Sequence, residues 1–463
     1  CSQSIHSIIP THCIRQHSEA SKLTSINYAK HTATLCSSYS NALQHINGPY
    51  RAVLVHSGVE HHYFGDDRAV SFQAYGHLLH WIPVNRPNQF VYFRPNEKPI
   101  YFQIVPSDFW HEQDINVDPA WDQQFTIVRL VTLDELAKQL QQLSKSDLAY
   151  IGESPAVASS LGIDKSLINP QALLAYLDFS RAIKSDYELD QLRAANQLAL
   201  LGHRAAKACF LEGGTEFEIH LAFLQATAHL EDESPYTNIV ALNEKAAILH
   251  YQFKRKANED KGQVLLIDAG CRVNAYGSDI TRTSVSEDVH PKFRSLVQAM
   301  EELELALVAE VCPGKTYQSL HQSTLTRLAR VLIDNDICNG SEENLIALDI
   351  PQLFMPHGVG HLLGVQVHDV GGHQADSIGT LLPPPANSPA LRNTRVMEAD
   401  MVFTVEPGLY FIPLLLEAQR NSSKGKLINW KNVDELYCCG GIRIEDNIRV
   451  TDDGAENLTR QFE

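Results

Sequence analysis

Residues 263–284 read QVLLIDAGCRVNAYGSDITRTS, and no other stretch limits the fold so tightly. An apolar run at 264–267 ends on Asp268, a turn region with Gly and Asn follows, and a second strand is expected to carry Asp279, 11 residues after the first acid. A hairpin of this kind sets two carboxylates side by side. Taken alone, each acid also reads as a turn cap, the commoner role of Asp beside Gly.

The acids further on shift that balance. MPHGVGHLLGVQVHDVGGH holds His357, His361 and His368; VFTVEPGLY ends a β-run on Glu406; GGIRIEDN places Glu445 in another. Strand alternation puts Thr404 on the face of Glu406 and Arg443 on the face of Glu445. Four converging carboxylates carry about −4 if ionised, which desolvation and repulsion make untenable in a cavity without cations. Two divalent ions cancel that charge. An oxygen-rich shell with one imidazole is hard, favouring Mn²⁺, with Co²⁺ or Zn²⁺ as alternatives, over a thiolate-type structural zinc site. Two such ions ~3.5–4 Å apart can share a water, lower its pKa and clamp both ends of a hydrolytic displacement.

Composition agrees with such chemistry and excludes other classes. Lys and Arg number 38 against 55 Asp and Glu, a formal charge of −17, which disfavours nonspecific binding of nucleic acid or anionic membranes. No apolar run approaches the ~20 residues that span a bilayer. Nine cysteines, without a CxxC pair, suggest neither a disulfide framework nor a thiolate zinc site, so reduced thiols and a soluble cytoplasmic protein are expected. Residues 1–20, rich in Ser and Thr with a single acid, read either as a weak organelle transit segment or as the continuation of an upstream extension.

The order of segments predicts a mixed α+β chain in two domains. A helix around 28–43, β-runs at 51–57, 90–93, 100–105, 126–131 and 149–152, and a helix at 133–144 form an α/β N-terminal domain over 22–170. From 171 to 463, helices near 187–211, 215–231, 291–311 and 316–334 interleave with paired strands, expected to meet as hairpins. Residues 374–395 and 413–428 read as long loops, which tend to be functional rims. HGVGH lacks the adjacent Glu of a zincin helix and holds two glycines, so it reads as a turn; GKT at 314–316 lacks a complete phosphate cradle and reads as a helix connection; Cys438 and Cys439 read as buried small residues.

The contexts LLIDAG, YGSDITRT, PHGVGH, TVEPGLY and GGIRIEDN resemble the five-ligand signature of the pita-bread metallopeptidases. Within them the chain is most similar to the branch of bacterial Xaa-Pro dipeptidases and organophosphorus acid anhydrolases, from about Lys22 to near Arg460, through DFWH, AYIGE, PYTNIVALNEKAAILHY and GVQVHDVGG. The resemblance implies a capping and dimerising N-terminal domain, a pita-bread catalytic domain and a homodimer. It implies that Asp268 and Asp279 bind one metal, His361 and Glu406 the other, with Asp279 and Glu445 bridging. Glu406 would shuttle a proton from the attacking water to the leaving proline nitrogen. His357 and His368 would contact the substrate and stabilise the tetrahedral intermediate. His250 and Arg443 would bind the substrate's carboxylate, with Tyr236, Leu249, Tyr317, Val367 and Leu391 lining the pocket, and Asp67 would reach a neighbouring subunit's site.

Plainer readings stand beside these. His250 on an apolar strand and Tyr317 also fit core positions, and Arg443 also fits an ion pair with an acid on its own face. The expected reaction is hydrolysis of Xaa-Pro dipeptides, with a side activity on organophosphorus esters. The rivals are an Xaa-Pro aminopeptidase on longer peptides and a noncatalytic protein of the same fold.

Overall fold

The computed structural model describes residues 11–113, 115, 118–143, 147–257 and 261–463, with side chains from residue 26 onward. The two readings of residues 1–20 as a leader or an extension rest on residues outside that description, apart from backbone beyond residue 10. Two compact units result: one reaching to Leu177 and including Ser185–Glu188, the other formed by Asp178–Lys184 and Leu189–Glu463.

The first unit is built on a five-stranded mixed sheet in the order Thr126–Leu130, Ile100–Ile104, Gln89–Phe93, Ala52–His56, Leu148–Ile151. Its outer pairs are parallel and its inner pairs antiparallel. The two strands Ala52–His56 and Gln89–Phe93 are buried along their whole length and, apart from His56 and Gln89, carry only apolar and aromatic side chains, as burial of both faces requires. On the helix Leu133–Leu143, Leu136 and Leu140 lie four residues apart and are buried in the sheet's core. The helix expected at 28–43 runs from Thr11 to Ile46, and Tyr28, Leu35, Tyr39 and Ala42 form its buried stripe.

In the second unit every described strand pair is antiparallel, as the hairpin reading requires. Ile239–Leu242, Val264–Asp268 and Thr281–Val285 form one sheet; Val402–Val405, Asp446–Val450 and Ala455–Asn457 a second; Gly408–Tyr410 and Gly441–Arg443 a third. Helices Asp186–Leu211, Glu216–Thr227, Pro291–Val308 and Tyr317–Asp334 accompany them. Thr215 and Glu218 close a capping box on the second of these, and the Thr316 hydroxyl caps the fourth.

Several expectations are corrected. Asp279 is not on a strand but in the gap between Tyr276–Gly277 and Thr281–Val285. His250 is an exposed turn residue after the short helix Asn243–Ala247, not a strand residue. Residues 413–428 are not an open loop: Leu416 is anchored in the core, Arg420 pairs with Glu417 and stacks 4.3 Å over Trp430, and the segment folds into short helical turns. Cys439 is buried, whereas Cys438 is exposed.

Candidate metal centre

Strand register assembles the site. Asp268 ends its strand opposite Thr281, and Thr281 is bridged on its other edge by Glu445. Cross-strand neighbours share a face, so Asp268, Thr281 and Glu445 form one row. The Thr281 hydroxyl donates to Glu445 Oε2 at 2.6 Å and accepts from Arg443 Nε at 3.0 Å. Arg443, two residues before Glu445 on the same face, also donates through Nη2 to Asp268 Oδ2 at 2.7 Å and through Nη1 to the Tyr410 hydroxyl at 3.0 Å. The acid it pairs with is therefore Asp268.

A second set of contacts delivers His361 and Glu406. Leu362 bridges Phe403, the His361 N–H donates to Thr404 Oγ1 at 3.1 Å, and the Glu406 N–H donates to the Val359 carbonyl at 2.9 Å. The approach needs Gly360: its φ is +147°, and a Cβ there would strike the Tyr317 hydroxyl and Thr404. His361 Nδ1 donates to the Leu362 carbonyl at 3.0 Å, which turns Nε2 toward the acids, 3.3 Å from Asp279 Oδ2 and 3.7 Å from Glu406 Oε1. Ligand atoms of Asp279, His361 and Glu445 all lie within 4.8 Å of one another.

Asp268, Asp279, His361, Glu406 and Glu445 all line one cavity of about 510 Å³, together with Leu249, His250, His357, His368, Leu391 and Arg443. Tyr236, Tyr317 and Val367 are not among its lining residues. Tyr317 is fully buried, its hydroxyl donating to the Thr404 carbonyl at 2.6 Å behind the cavity wall. Asp67 is an exposed residue of the other unit. Sequence reasoning missed His373 and Arg392 in the lining, and Tyr410 behind it. Tyr410 stands within the quoted motif TVEPGLY, one alternation beyond Gly408, but nothing local marks its hydroxyl as the partner of Arg443.

The electrostatics ask for cations. Burial pushes Asp268 up to about 6, against the pull of Arg443, and pushes Glu406 up to about 7. Burial, then the charges of Asp279 and Glu406, raise Glu445 well above the carboxylate range. Asp279 is also buried, but the adjacent His361 holds it below its ordinary value. Burial drives His357 down to about 3 and His368 to about 4, so both are neutral imidazoles at neutral pH. His357 is held at both nitrogens: Nδ1 lies 2.7 Å from the Gly358 carbonyl, so Nε2, 3.0 Å from the Tyr410 hydroxyl, accepts from it. The buried Tyr236 hydroxyl faces the same acids: burial, then the charges of Asp268, Asp279 and Glu445, hold it well above the ordinary tyrosine range. With an oxygen-rich donor set and an imidazole whose Nε2 is already aimed at the acids, the residues fit hard divalent ions.

One other trio among the described residues has comparable geometry, His31, His80 and Glu188 in the first unit. It is accounted for as a helix cap. Glu188 accepts from the Ser185 N–H at 2.8 Å, and His31 bridges Ser185 Oγ and the His80 carbonyl, each at 2.8 Å.

The antiparallel α+β unit and its acid-lined cavity define the class: a metal-dependent hydrolase with a candidate dinuclear centre. The chain belongs to metallopeptidase family M24, whose model matches residues 190–452, while the model of the Xaa-Pro dipeptidase N-terminal domain matches residues 26–179. It is 42% identical to the Xaa-Pro dipeptidase of Pseudoalteromonas atlantica over 94% of this chain and 98% of that protein. With the Xaa-Pro dipeptidase of Shewanella oneidensis it shares 42% over 89% of this chain and 92% of the relative. Among solved structures, aminopeptidase P of Pseudomonas aeruginosa aligns with a TM-score of 0.72 at 21% identity, covering 94% of this chain and 95% of that one. Escherichia coli aminopeptidase P with the inhibitor Pro-Leu aligns with a TM-score of 0.71 at 22% identity, covering 92% and 95%. These structures share the fold, an N-terminal domain followed by the pita-bread catalytic domain.

Proposed function

We propose that this chain hydrolyses Xaa-Pro dipeptides and releases free proline. The observation that carries the reading is the convergence of Asp268, Asp279, His361, Glu406 and Glu445 on a single cavity. The 42% identity to Xaa-Pro dipeptidases along nearly the whole chain favours this substrate class over longer peptides. Asp268 and Asp279 would hold one divalent ion and His361 and Glu406 the other, with Asp279 and Glu445 shared. When bound, the ions supply Lewis acidity and an activated water nucleophile, and Mn²⁺ suits the oxygen-rich set best.

The chain's own groups do the rest. Glu406 accepts the proton of the attacking water and delivers it to the proline nitrogen, a leaving group that lacks an N–H of its own in the peptide. His368 stabilises the tetrahedral carbonyl oxygen, and His357, both of whose nitrogens are held by the Gly358 carbonyl and the Tyr410 hydroxyl, contacts the substrate through the face of its ring. Arg443 and His250 hold the dipeptide's carboxylate, while Leu249 and Leu391, with Tyr236, Tyr317 and Val367 around them, shape the space for the proline ring. Capture of both chain ends limits the substrate to two residues. A homodimer in which Asp67 reaches the neighbouring site, an N-terminal domain over 22–170 followed by a catalytic domain over 171–463, a cytoplasmic setting and a side activity on organophosphorus esters complete the proposal. Among the described residues no helix is long and apolar enough to cross a membrane.

Hydrolysis of Ala-Pro and of Ala-Pro-Ala, each with and without Mn²⁺, tests it. Mn²⁺-dependent cleavage of the dipeptide alone is expected, and Asp279→Asn should abolish it in a folded protein. Cleavage of the tripeptide with the dipeptide untouched would make the protein an aminopeptidase instead.

A further inference from the structure

Of the five groups only Asp268 lies within a regular strand, and Asp279 sits in the gap before Thr281–Val285. Its neighbours are paired on one edge: the Ser278 N–H donates to the Cys271 carbonyl at 2.9 Å, and the Ile280 carbonyl accepts from the Ala269 N–H at 3.0 Å. Alternation therefore turns the N–H and C=O of Asp279 to the opposite edge. There they meet one side chain. The Asp279 N–H donates to Asn447 Oδ1 at 3.0 Å, and Asn447 Nδ2 donates back to the Asp279 carbonyl. A carboxamide is the side chain that can offer an acceptor and a donor to one residue's backbone in this way, and both bonds fix which end is oxygen.

Asn447 is itself immobilised. It is fully buried, its N–H donates to Thr459 Oγ1 at 2.9 Å, its carbonyl accepts from Leu458 N–H at 2.8 Å, and the Thr459 hydroxyl continues to Asn196 Oδ1 at 2.7 Å. Asp446, pointing to the other face, is gripped by Arg282 at 2.8 Å, Arg460 at 2.6 Å and Asn457 at 2.7 Å. The same three-residue stretch thus carries Glu445, locks to the C-terminal residues through Asp446, and holds Asp279 through Asn447.

We infer that Asn447 is a positioning residue for the metal centre: its two-bond clamp on the Asp279 peptide, backed by Thr459, sets the Asp279 carboxylate at a fixed place beside Glu445. The inference deepens the dinuclear reading above and rests on it. Asn447 is not among the residues lining the cavity, so it acts through Asp279 and not on the substrate.

Calorimetric titration of the metal-free full chain with MnCl₂, alongside melting of the metal-free proteins and steady-state kinetics on Ala-Pro, tests this. In Asn447→Ala at least one of the two binding steps is expected to weaken tenfold or more, with kcat falling and KM for Ala-Pro little changed. A lowered melting temperature with parent-like affinity at both steps would reduce Asn447 to a structural role and overturn the inference. Should Asn447→Ala fail to fold, Thr459→Val, which removes only the supporting hydroxyl, decides: weakening of about threefold or more is expected, and unchanged affinity overturns the inference. A parent protein that takes up no pair of ions defeats the dinuclear reading and this inference with it; a parent that binds two, with variants that do the same, defeats the clamp alone.

Discussion

Thr281→Val isolates the hydroxyl at the centre of the acid row. Valine keeps the shape of threonine and removes one O–H, which at this fully buried position donates to Glu445 Oε2 at 2.6 Å and accepts from Arg443 Nε at 3.0 Å. Hydrogen bonds to charged partners contribute about 1.5–3 kcal/mol each, so the ceiling for losing both is ~3–6 kcal/mol. Arg443 keeps Asp268 and Tyr410, and the Glu445 N–H keeps the Thr281 carbonyl, so partial compensation reduces the expected loss below that ceiling. A net ~2–4 kcal/mol corresponds to roughly 30-fold to several-hundred-fold in an equilibrium or rate ratio. The loss should fall unequally. Without cations, burial and the neighbouring acids favour protonated Glu445, whose bond to Thr281 is then neutral and worth about 1 kcal/mol. The Arg443 bond is lost with or without cations, so the melting temperature of the metal-free protein should fall as well, while metal affinity and kcat/KM should drop by the further ~0.5–2 kcal/mol, roughly 2- to 30-fold, by which the bond to ionised Glu445 exceeds the neutral one, read by Mn²⁺ titration, dipeptide hydrolysis and thermal unfolding on one preparation. Thr281→Ser, which restores the hydroxyl, should recover most of both. Parent-like metal binding and turnover in Thr281→Val, or a serine variant as damaged as the valine, would refute the reasoning.

Three further outcomes are expected. Burial drives His203 down to about 4, so between that value and the unfolded value near 6.5 the unfolded chain binds the extra proton; stability therefore falls as pH drops through this window, by up to ~3 kcal/mol for this group, and melts from pH 7 to 4.5 should decline less steeply in His203→Gln. Chelation of divalent ions should abolish hydrolysis and lower the melting temperature, and Mn²⁺ at 100 times its Kd should return about 2.7 kcal/mol of stability together with activity. Gly360→Ala should lose activity and ~3 kcal/mol or more of stability, checked by denaturant unfolding, because φ is +147° and the added methyl meets Tyr317 and Thr404.

The acids were legible because each breaks a local rule: Asp268, Glu406 and Glu445 are carboxylates in or at the ends of apolar β-runs, where burial without compensation is prohibitive. The hairpin reading of 264–285 and the antiparallel character of the second unit followed from the same pattern. Alternation gave faces but not neighbours. It put Thr404 beside Glu406, whereas the Thr404 hydroxyl is spent on the His361 N–H; it put Arg443 with Glu445, whereas the guanidinium reaches across two strands to Asp268. Asn447 clasps a backbone 168 positions away, and that pairing depends on a register the local sequence does not encode. Asp279 was found as an acid and misplaced as a strand residue for the same reason: its partner is a side chain, and side-chain partners leave no periodicity.

Register also explains why the middle of the row must be small. Adjacent strands stand ~4.8 Å apart, so Asp268 and Glu445, separated by the strand of Thr281, have backbones about 10 Å apart. Glu445 brings a ligand atom within 4.8 Å of those of Asp279 and His361, and Asp268 lines the same cavity. A side chain at 281 longer than threonine would enter the volume between the acids, and one without a hydroxyl would leave Glu445 Oε2 and Arg443 Nε unpaired. Only Ser and Thr meet both demands. The requirement comes from strand spacing and hydrogen-bond inventory, and it constrains position 281 as firmly as charge constrains the acids on either side of it.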